Sequence, residues 1–170
     1  MSGNVLVVYG SKCGSTGEVA AAIGETLREA GVPVDVRPVK DVDDLSPYSA
    51  VVIGSAARMG RLLPEVVKFA ERHRDTLKAK PTACFTVCLT LKDDTPENRE
   101  KVSAYLDPLR AIAEPVSVGL FAGKLDYARL GFLLRFFMSR DRSGGLAEGD
   151  YRDWEAIRTW ARELAPALVG

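Results

Sequence analysis

Apolar positions along the chain fall into short continuous runs separated by stretches with a helical period. The first run is Val5 to Tyr9, and it stops at Gly10. Val19, Ile23 and Leu27 then recur at i, i+4 and i+8, which predicts a helix from about Ser15 to Ala30 with Gly31 as its stop. Pro33–Val39 alternates apolar and polar, the pattern of an edge or near-edge strand, and Lys40–Ser49 is short and acidic, with room for a turn of helix. Ala50–Gly54 is a second apolar run, predicted as a central parallel strand buried on both faces. A loop, Ser55–Arg61, leads to a helix through about Leu77, whose first turn suits Pro64 and Glu65. Pro81–Cys88 predicts a strand, Leu89–Thr95 a loop, Pro96–Ile112 a helix and Val116–Phe121 the fifth strand. Trp154, Ile157, Ala161, Leu164 and Leu168 share one face of a last helix, running from Asp153 to about Leu168.

Strands alternating with helices predict an α/β fold: a three-layer domain around a parallel sheet. Ligands of such sheets bind beyond the carboxyl ends of the strands, where the strand order switches. Four predicted loops leave those ends: Gly10–Thr16, Ser55–Arg61, Leu89–Thr95 and Ala122–Tyr127. Nothing in the pattern divides residues 1–170 into two domains. The alternation breaks once, at an apolar-basic insertion covering about residues 126–150. It holds the most hydrophobic run of the chain, Leu130–Met138, with Arg129, Arg135, Arg140 and Arg142 in or beside it. That run reads either as core packing under a loop, or as a surface for a membrane, a partner or a bulky anionic apolar ligand.

Composition narrows the picture. Hydrophobic residues make up 46% and charged residues 27%, an ordinary globular balance, and the formal net charge is zero. No basic run favours nucleic acid. Three cysteines are an odd count, which argues against a disulfide framework and for a reducing cytosol. Cys84 and Cys88 share a strand face and read as small buried hydrophobes. With His73 as the one histidine, no metal site is expected. No apolar run reaches the roughly 20 residues of a spanning helix, and the first strand begins without a signal core ahead of it. The expected location is the cytoplasm, with peripheral contact at the inner face of the membrane if the insertion is a lipid surface.

The loop after the first strand carries the chemistry. A buried strand feeding a Gly/Ser/Thr loop at a helix N-terminus can hold a phosphate through backbone N–H groups and hydroxyls. Here the hydroxyls are those of Ser11, Ser15 and Thr16. A Walker A loop requires Gly-Lys after four residues, but Ser15 stands five places after Gly10. The dinucleotide fingerprint fails as well, since Lys12 occupies its second glycine position. A hydroxyl-rich loop without a metal-holding Lys-Ser pair suits a monoester phosphate bound without magnesium, as in FMN.

These residues resemble the flavodoxin superfamily. The loop Gly10-Ser-Lys-Cys-Gly-Ser-Thr16 is similar to its FMN-phosphate loop. Within the superfamily, Ile53-Gly-Ser-Ala-Ala-Arg-Met-Gly60 resembles the second flavin loop of the bacterial menaquinone-dependent protoporphyrinogen oxidases. So do Phe121-Ala-Gly-Lys-Leu-Asp-Tyr127, the insertion with Ser143-Gly-Gly145, and Tyr151-Arg-Asp-Trp154 before the last helix. The resemblance implies a flavodoxin-like fold with five parallel strands in the order 2-1-3-4-5. It implies FMN as cofactor, and oxidation of protoporphyrinogen IX or a similar reduced apolar compound with electrons passed to a quinone.

The same resemblance assigns roles to residues. Ser11, Lys12, Cys13, Gly14, Ser15 and Thr16 would hold the phosphate, Cys13 through its amide. Ser55, Ala56, Ala57, Arg58, Met59 and Gly60 would pass beside the isoalloxazine, and Leu89, Thr90, Leu91 and Lys92 would line its other edge, with Tyr127 at the same end of the sheet. Arg58 and Lys92 are the electrostatic candidates for the reduced ring. Arg129, Phe132, Arg135, Phe136 and Phe137 would form a substrate or membrane surface, apolar area for a macrocycle or lipid beside cations for carboxylates or headgroups. Neither Ser55–Arg61 nor Leu89–Thr95 contains an aromatic residue, so at least one ring face is expected to lack an aromatic lid. That openness and the neutral charge favour an enzyme over the alternative, an electron carrier with no substrate of its own.

Overall fold

The computed structural model describes residues 3–11, 14–125 and 149–169. In chain order the elements are β1 (Asn4–Gly10), α1 (Ser15–Glu29), β2 (Val34–Pro38), β3 (Tyr48–Arg58), β4 (Arg61–Leu62), α2 (Pro64–Arg72), α3 (Arg74–Lys78) and β5 (Thr82–Cys88). There follow α4 (Pro96–Ala104), α5 (Asp107–Arg110), β6 (Val118–Ala122), β7 (Lys124–Leu125), β8 (Gly149–Asp150) and α6 (Trp154–Val169). The parallel strands lie in the order β2-β1-β3-β5-β6, which is the expected 2-1-3-4-5 when parallel strands alone are counted. β1 is flanked in register by Val34–Pro38 on one side and Ala50–Ser55 on the other.

Strand alternation sorts the core into two layers. Val5, Val7, Ala50, Val52, Ala83 and Phe85 face α1 and α6, packing on Val19, Ile23, Leu27, Ile157, Ala161 and Leu164. Leu6, Val8, Val51, Ile53 and Cys84 face the other way, onto Val66, Phe69, Leu77, Leu106 and Leu109. β1 and β3 are therefore apolar at successive positions because both of their faces are covered. Trp160 packs edge-on against Phe121, ring centroids 5.6 Å apart, and its Nε1–H donates to Ser117 Oγ at 3.0 Å.

Four elements differ from the sequence expectation. Ser55–Arg61 is not a loop: β3 continues to Arg58 and turns back through β4, with Ala57 opposite Leu62 and Arg58 opposite Arg61. Met59 and Gly60 make the turn with φ of 52° and 78°, the two-residue form whose twist suits a hairpin. The helix expected over Pro96–Ile112 is two helices, because Pro108 has no N–H for the Ala104 carbonyl and its ring displaces it. The helix expected to reach Leu77 is also two, parted at His73, whose φ of −105° and ψ of 20° leave the helical region. The helical turn placed in Lys40–Ser49 falls earlier, as a 3-10 turn at Val39–Asp41.

Candidate functional site

The carboxyl end of β1 opens directly into the N-terminus of α1. Gly14 takes a left-handed conformation, φ 85° and ψ −16°, which a glycine adopts without strain. Its N–H donates to Ser11 Oγ at 2.9 Å, folding the loop back on itself. The first bond of the helical ladder runs from Glu18 N–H to Gly14 O at 3.2 Å. The N–H groups of Ser15, Thr16 and Gly17 precede it and point out of the helix end, where partial positive charge accumulates. Thr16 is buried, and its Oγ1 has no hydrogen-bond partner. Buried hydroxyls are paired as a rule, and an unpaired one costs about 1–3 kcal/mol. An acceptor seated against the first turn of α1 would satisfy it, so the donor set fits a phosphate monoester. Ser11, Gly14, Gly17 and Glu18 line an open cleft of about 610 Å³, with Tyr9 and Gly10 from β1 and Lys40 and Glu65 beyond. Lys12 and Cys13 lie outside the described residues.

Beside this cradle stands the β3–β4 hairpin. Ser55 is buried, its Oγ donating to Ala56 O at 2.8 Å and accepting from Leu63 N–H at 3.0 Å. Thr86 Oγ1 donates to Ser55 O at 2.9 Å, tying β5 to the same point. The Ser55 hydroxyl is thus committed within the fold, while Ala56 and Ala57 are half-buried and Arg58, Met59 and Gly60 are exposed at the tip. Met59 is fully exposed, at 101%. Leu89–Lys92 forms a 3-10 turn after β5, with Leu91 buried against Cys88 and Val102 and Lys92 exposed. Asn98 pins this turn by donating to Thr90 O at 3.3 Å and Asp93 O at 2.8 Å.

Two tyrosines reach this edge from outside the predicted loops. Tyr105 packs with Ala57 and the small cluster under Leu91, next to Gly60. Tyr151 lies beneath Lys92, whose Nζ is 5.9 Å from the ring centroid, and Tyr151 N–H donates to Gly123 O at 3.1 Å. Tyr151 belongs to the base of the insertion, where Lys124 pairs with Asp150 and Leu125 with Gly149. Arg152 completes that base. Its Nε and NH2 donate to the two oxygens of Asp150 at 2.8 and 2.7 Å, and its NH1 donates to Glu18 Oε2. Its guanidinium lies 4.5 Å from the Trp154 ring centroid. The Arg152 hydrogen bond holds the Asp150 carboxyl down at about 2, and Asp150 in turn raises Arg152.

The structure therefore places Ser11 and Gly14–Thr16 after β1, Ala56–Gly60 at the end of β3 and Leu89–Lys92 after β5, at the carboxyl ends of three neighbouring parallel strands. Tyr127, Arg129, Phe132, Arg135, Phe136 and Phe137 lie outside the described residues. Tyr105, Glu18 and Arg152 were not marked by any spacing, since each reaches the site through tertiary packing; Tyr151 and Arg152 stand in the stretch that carried the resemblance. Among the described residues no helix is long and apolar enough to cross a membrane.

A parallel sheet of this order, with a glycine- and hydroxyl-bearing loop leading from its first strand into a helix N-terminus, is the flavodoxin-like fold. The flavodoxin domain family matches residues 6–145, and the chain belongs to it: it is a flavoprotein oxidoreductase whose cofactor is FMN. The chain is 28% identical over 171 residues to protoporphyrinogen IX dehydrogenase (quinone) of Escherichia coli strain K12, covering 94% of this chain and 93% of that protein. It is 30% identical over 172 residues to the protein of the same name from Leishmania major, covering 94% of this chain and 74% of that one. Oxidised flavodoxin 1 of Bacillus cereus superposes with a TM-score of 0.61 at 16% identity, covering 96% of this chain and 97% of that one.

Proposed function

We propose that the chain oxidises protoporphyrinogen IX, or a reduced apolar compound like it, and delivers the electrons to a quinone. The observation that carries the reading is the buried Thr16 Oγ1 without a partner at the N-terminus of α1, a donor in place for a phosphate. The names of the two similar dehydrogenases support the choice of substrate and acceptor.

In this reading Ser11, Gly14, Ser15 and Thr16 hold the FMN phosphate by hydroxyls and first-turn N–H groups, together with Lys12 and Cys13. When bound, FMN would supply the redox chemistry, and the chain's residues would supply its binding and its electrostatic surroundings. The Ser55 clamp holds the hairpin as a rigid wall, so that Ala56 and Ala57 offer close backbone approach beside the ring. Arg58 and Lys92 supply positive charge where reduction adds negative charge, an electrostatic role. A large substrate needs an accessible ring face, and neither Ser55–Arg61 nor Leu89–Thr95 carries an aromatic side chain to cover one. The apolar-basic run Leu130–Met138 suits contact with lipid that carries the quinone.

Anaerobic turnover of protoporphyrinogen by the FMN-loaded protein, with and without a menaquinone analogue, tests the proposal. Porphyrin formation that depends on the quinone is expected. FMN binding without turnover, with a one-electron reduced state that persists on photoreduction, would make the protein a carrier instead.

A further inference from the structure

Arg152 is an unusual side chain for a surface connection. Its side chain is 4% exposed, yet it is charged and lies between two carboxylates whose side chains are each about 40% exposed. Buried cations require paired, well-formed partners. Its fork is filled on one edge by Asp150, its remaining NH1 reaches Glu18, and its face lies on Trp154. The two carboxylates belong to different parts of the fold. Asp150 is in β8, at the base of the insertion. Glu18 is in the first turn of α1 and lines the same cleft as Ser11, Gly14 and Gly17. The pair bridges 134 positions of sequence. The residue before Arg152 extends the bridge: Tyr151 is bonded to Gly123 and lies beneath Lys92. The two residues that follow β8 thus touch both Glu18 at the start of α1 and Lys92 at the end of the turn after β5.

A carboxylate in the first turn of α1 suits the helix dipole but opposes a phosphate dianion arriving at the same turn. Arg152 offsets it. Removing Arg152 would take one positive charge from beside Glu18, a residue that lines the cleft. We propose that Arg152 is a positioning residue, which ties the phosphate-loop helix to the β7–β8 pair through Glu18 and so sets FMN affinity without touching the cofactor. The inference rests on the FMN-phosphate reading of the Ser11–Thr16 loop.

The test uses the full chain and three variants: Arg152→Gln, Glu18→Ala and the two combined. FMN dissociation constants come from quenching of flavin fluorescence, and the tie itself is read in FMN-free protein from hydrogen exchange of the Tyr151 amide. Arg152→Gln should raise the dissociation constant about tenfold, within the range of coupling between linked sites, and more at low salt than at high. In the Glu18→Ala background the same change should have less than about a twofold effect, because the residue through which it acts is gone. Glu18→Ala, which keeps a good helix former in α1, should by itself speed Tyr151 amide exchange about fivefold or more, as expected for loss of a charge-assisted bond. An unchanged FMN constant in Arg152→Gln, an equal rise in both backgrounds, or unchanged Tyr151 exchange in Glu18→Ala overturns the proposal. Failure of the wild-type chain to bind FMN refutes the phosphate reading instead, and the exchange measurement still decides the tie. If Arg152→Gln does not fold, Arg152→Lys, which keeps the charge and loses the two-edged fork, replaces it in both backgrounds, and an unchanged FMN constant or an equal rise in both again overturns the proposal.

Discussion

Thr16→Val separates a structural role of the phosphate loop from a cofactor role, because the two predict opposite signs. The side chains have nearly the same shape, both are β-branched, and their helix propensities are close. What changes is one hydroxyl, buried and without a partner. In the FMN-free protein that hydroxyl is a liability, and its removal should stabilise the fold by about 1 kcal/mol, at the low end of the cost of an unpaired buried polar group. For a domain of this size that is a rise in Tm of about 2–4 °C. With FMN the same hydroxyl would donate to a charged phosphate oxygen, a bond of about 1.5–3 kcal/mol. Its loss should weaken FMN binding by roughly 10- to 150-fold. The assay is a thermal melt of FMN-free protein beside a flavin fluorescence titration, on the same two proteins. A lower Tm with unchanged FMN affinity would refute the reasoning, since it would mean that the hydroxyl serves the fold and that the phosphate binds elsewhere.

Three further predictions follow from side chains away from the phosphate. Ser55→Ala leaves the Leu63 N–H buried without an acceptor and should cost about 1–3 kcal/mol in urea unfolding; an unchanged midpoint would mean that the hairpin is held by other contacts. Burial pushes the Cys84 thiol up to about 12, so in native protein at pH 8 it should resist a maleimide that labels it readily after unfolding, as peptide mapping can show. Asp150 titrates at about 2 in the folded chain against an ordinary 3.8, so its stabilising contribution is complete above about pH 4 and is lost as the pH falls through 2. The carboxylate is 40% exposed, so solvent screening limits this to ~1 kcal/mol. Asp150→Asn should flatten that part of the acid stability profile, and an identical profile would show that the pair contributes nothing.

The strands were legible because burial on both faces leaves continuous apolar runs, and Ala50–Gly54 is one that nothing but a central strand explains. The strand–loop–helix passage from β1 to α1 was legible for a local reason: its glycines and hydroxyls are neighbours in sequence. The hairpin was not. Ser55–Gly60 is rich in small residues and reads as a loop, and its turn carries Met where Asn or Asp before glycine would have signalled a hairpin. The division of Pro96–Ile112 was written in the sequence, since Pro108 forbids a continuous helix, but the apolar spacing masked it. Nothing local could have placed Arg152 on Glu18. That pair exists only after α6 packs beside α1, and the pattern of either helix alone is satisfied without it.

The strand pair β7–β8 has a consequence for how the chain tolerates change. Lys124 stands opposite Asp150 and Leu125 opposite Gly149, so the two positions that flank residues 126–148 in sequence are paired neighbours. The ends of that stretch are already held together by the fold. The chain entropy lost in closing it then grows only with the logarithm of its length, about 0.6 kcal/mol for each doubling. Lengthening, shortening or replacing it leaves the register of the parallel sheet untouched. Length and composition between β7 and β8 can therefore change at a pace of their own, while the packed layers drift only as fast as their packing allows.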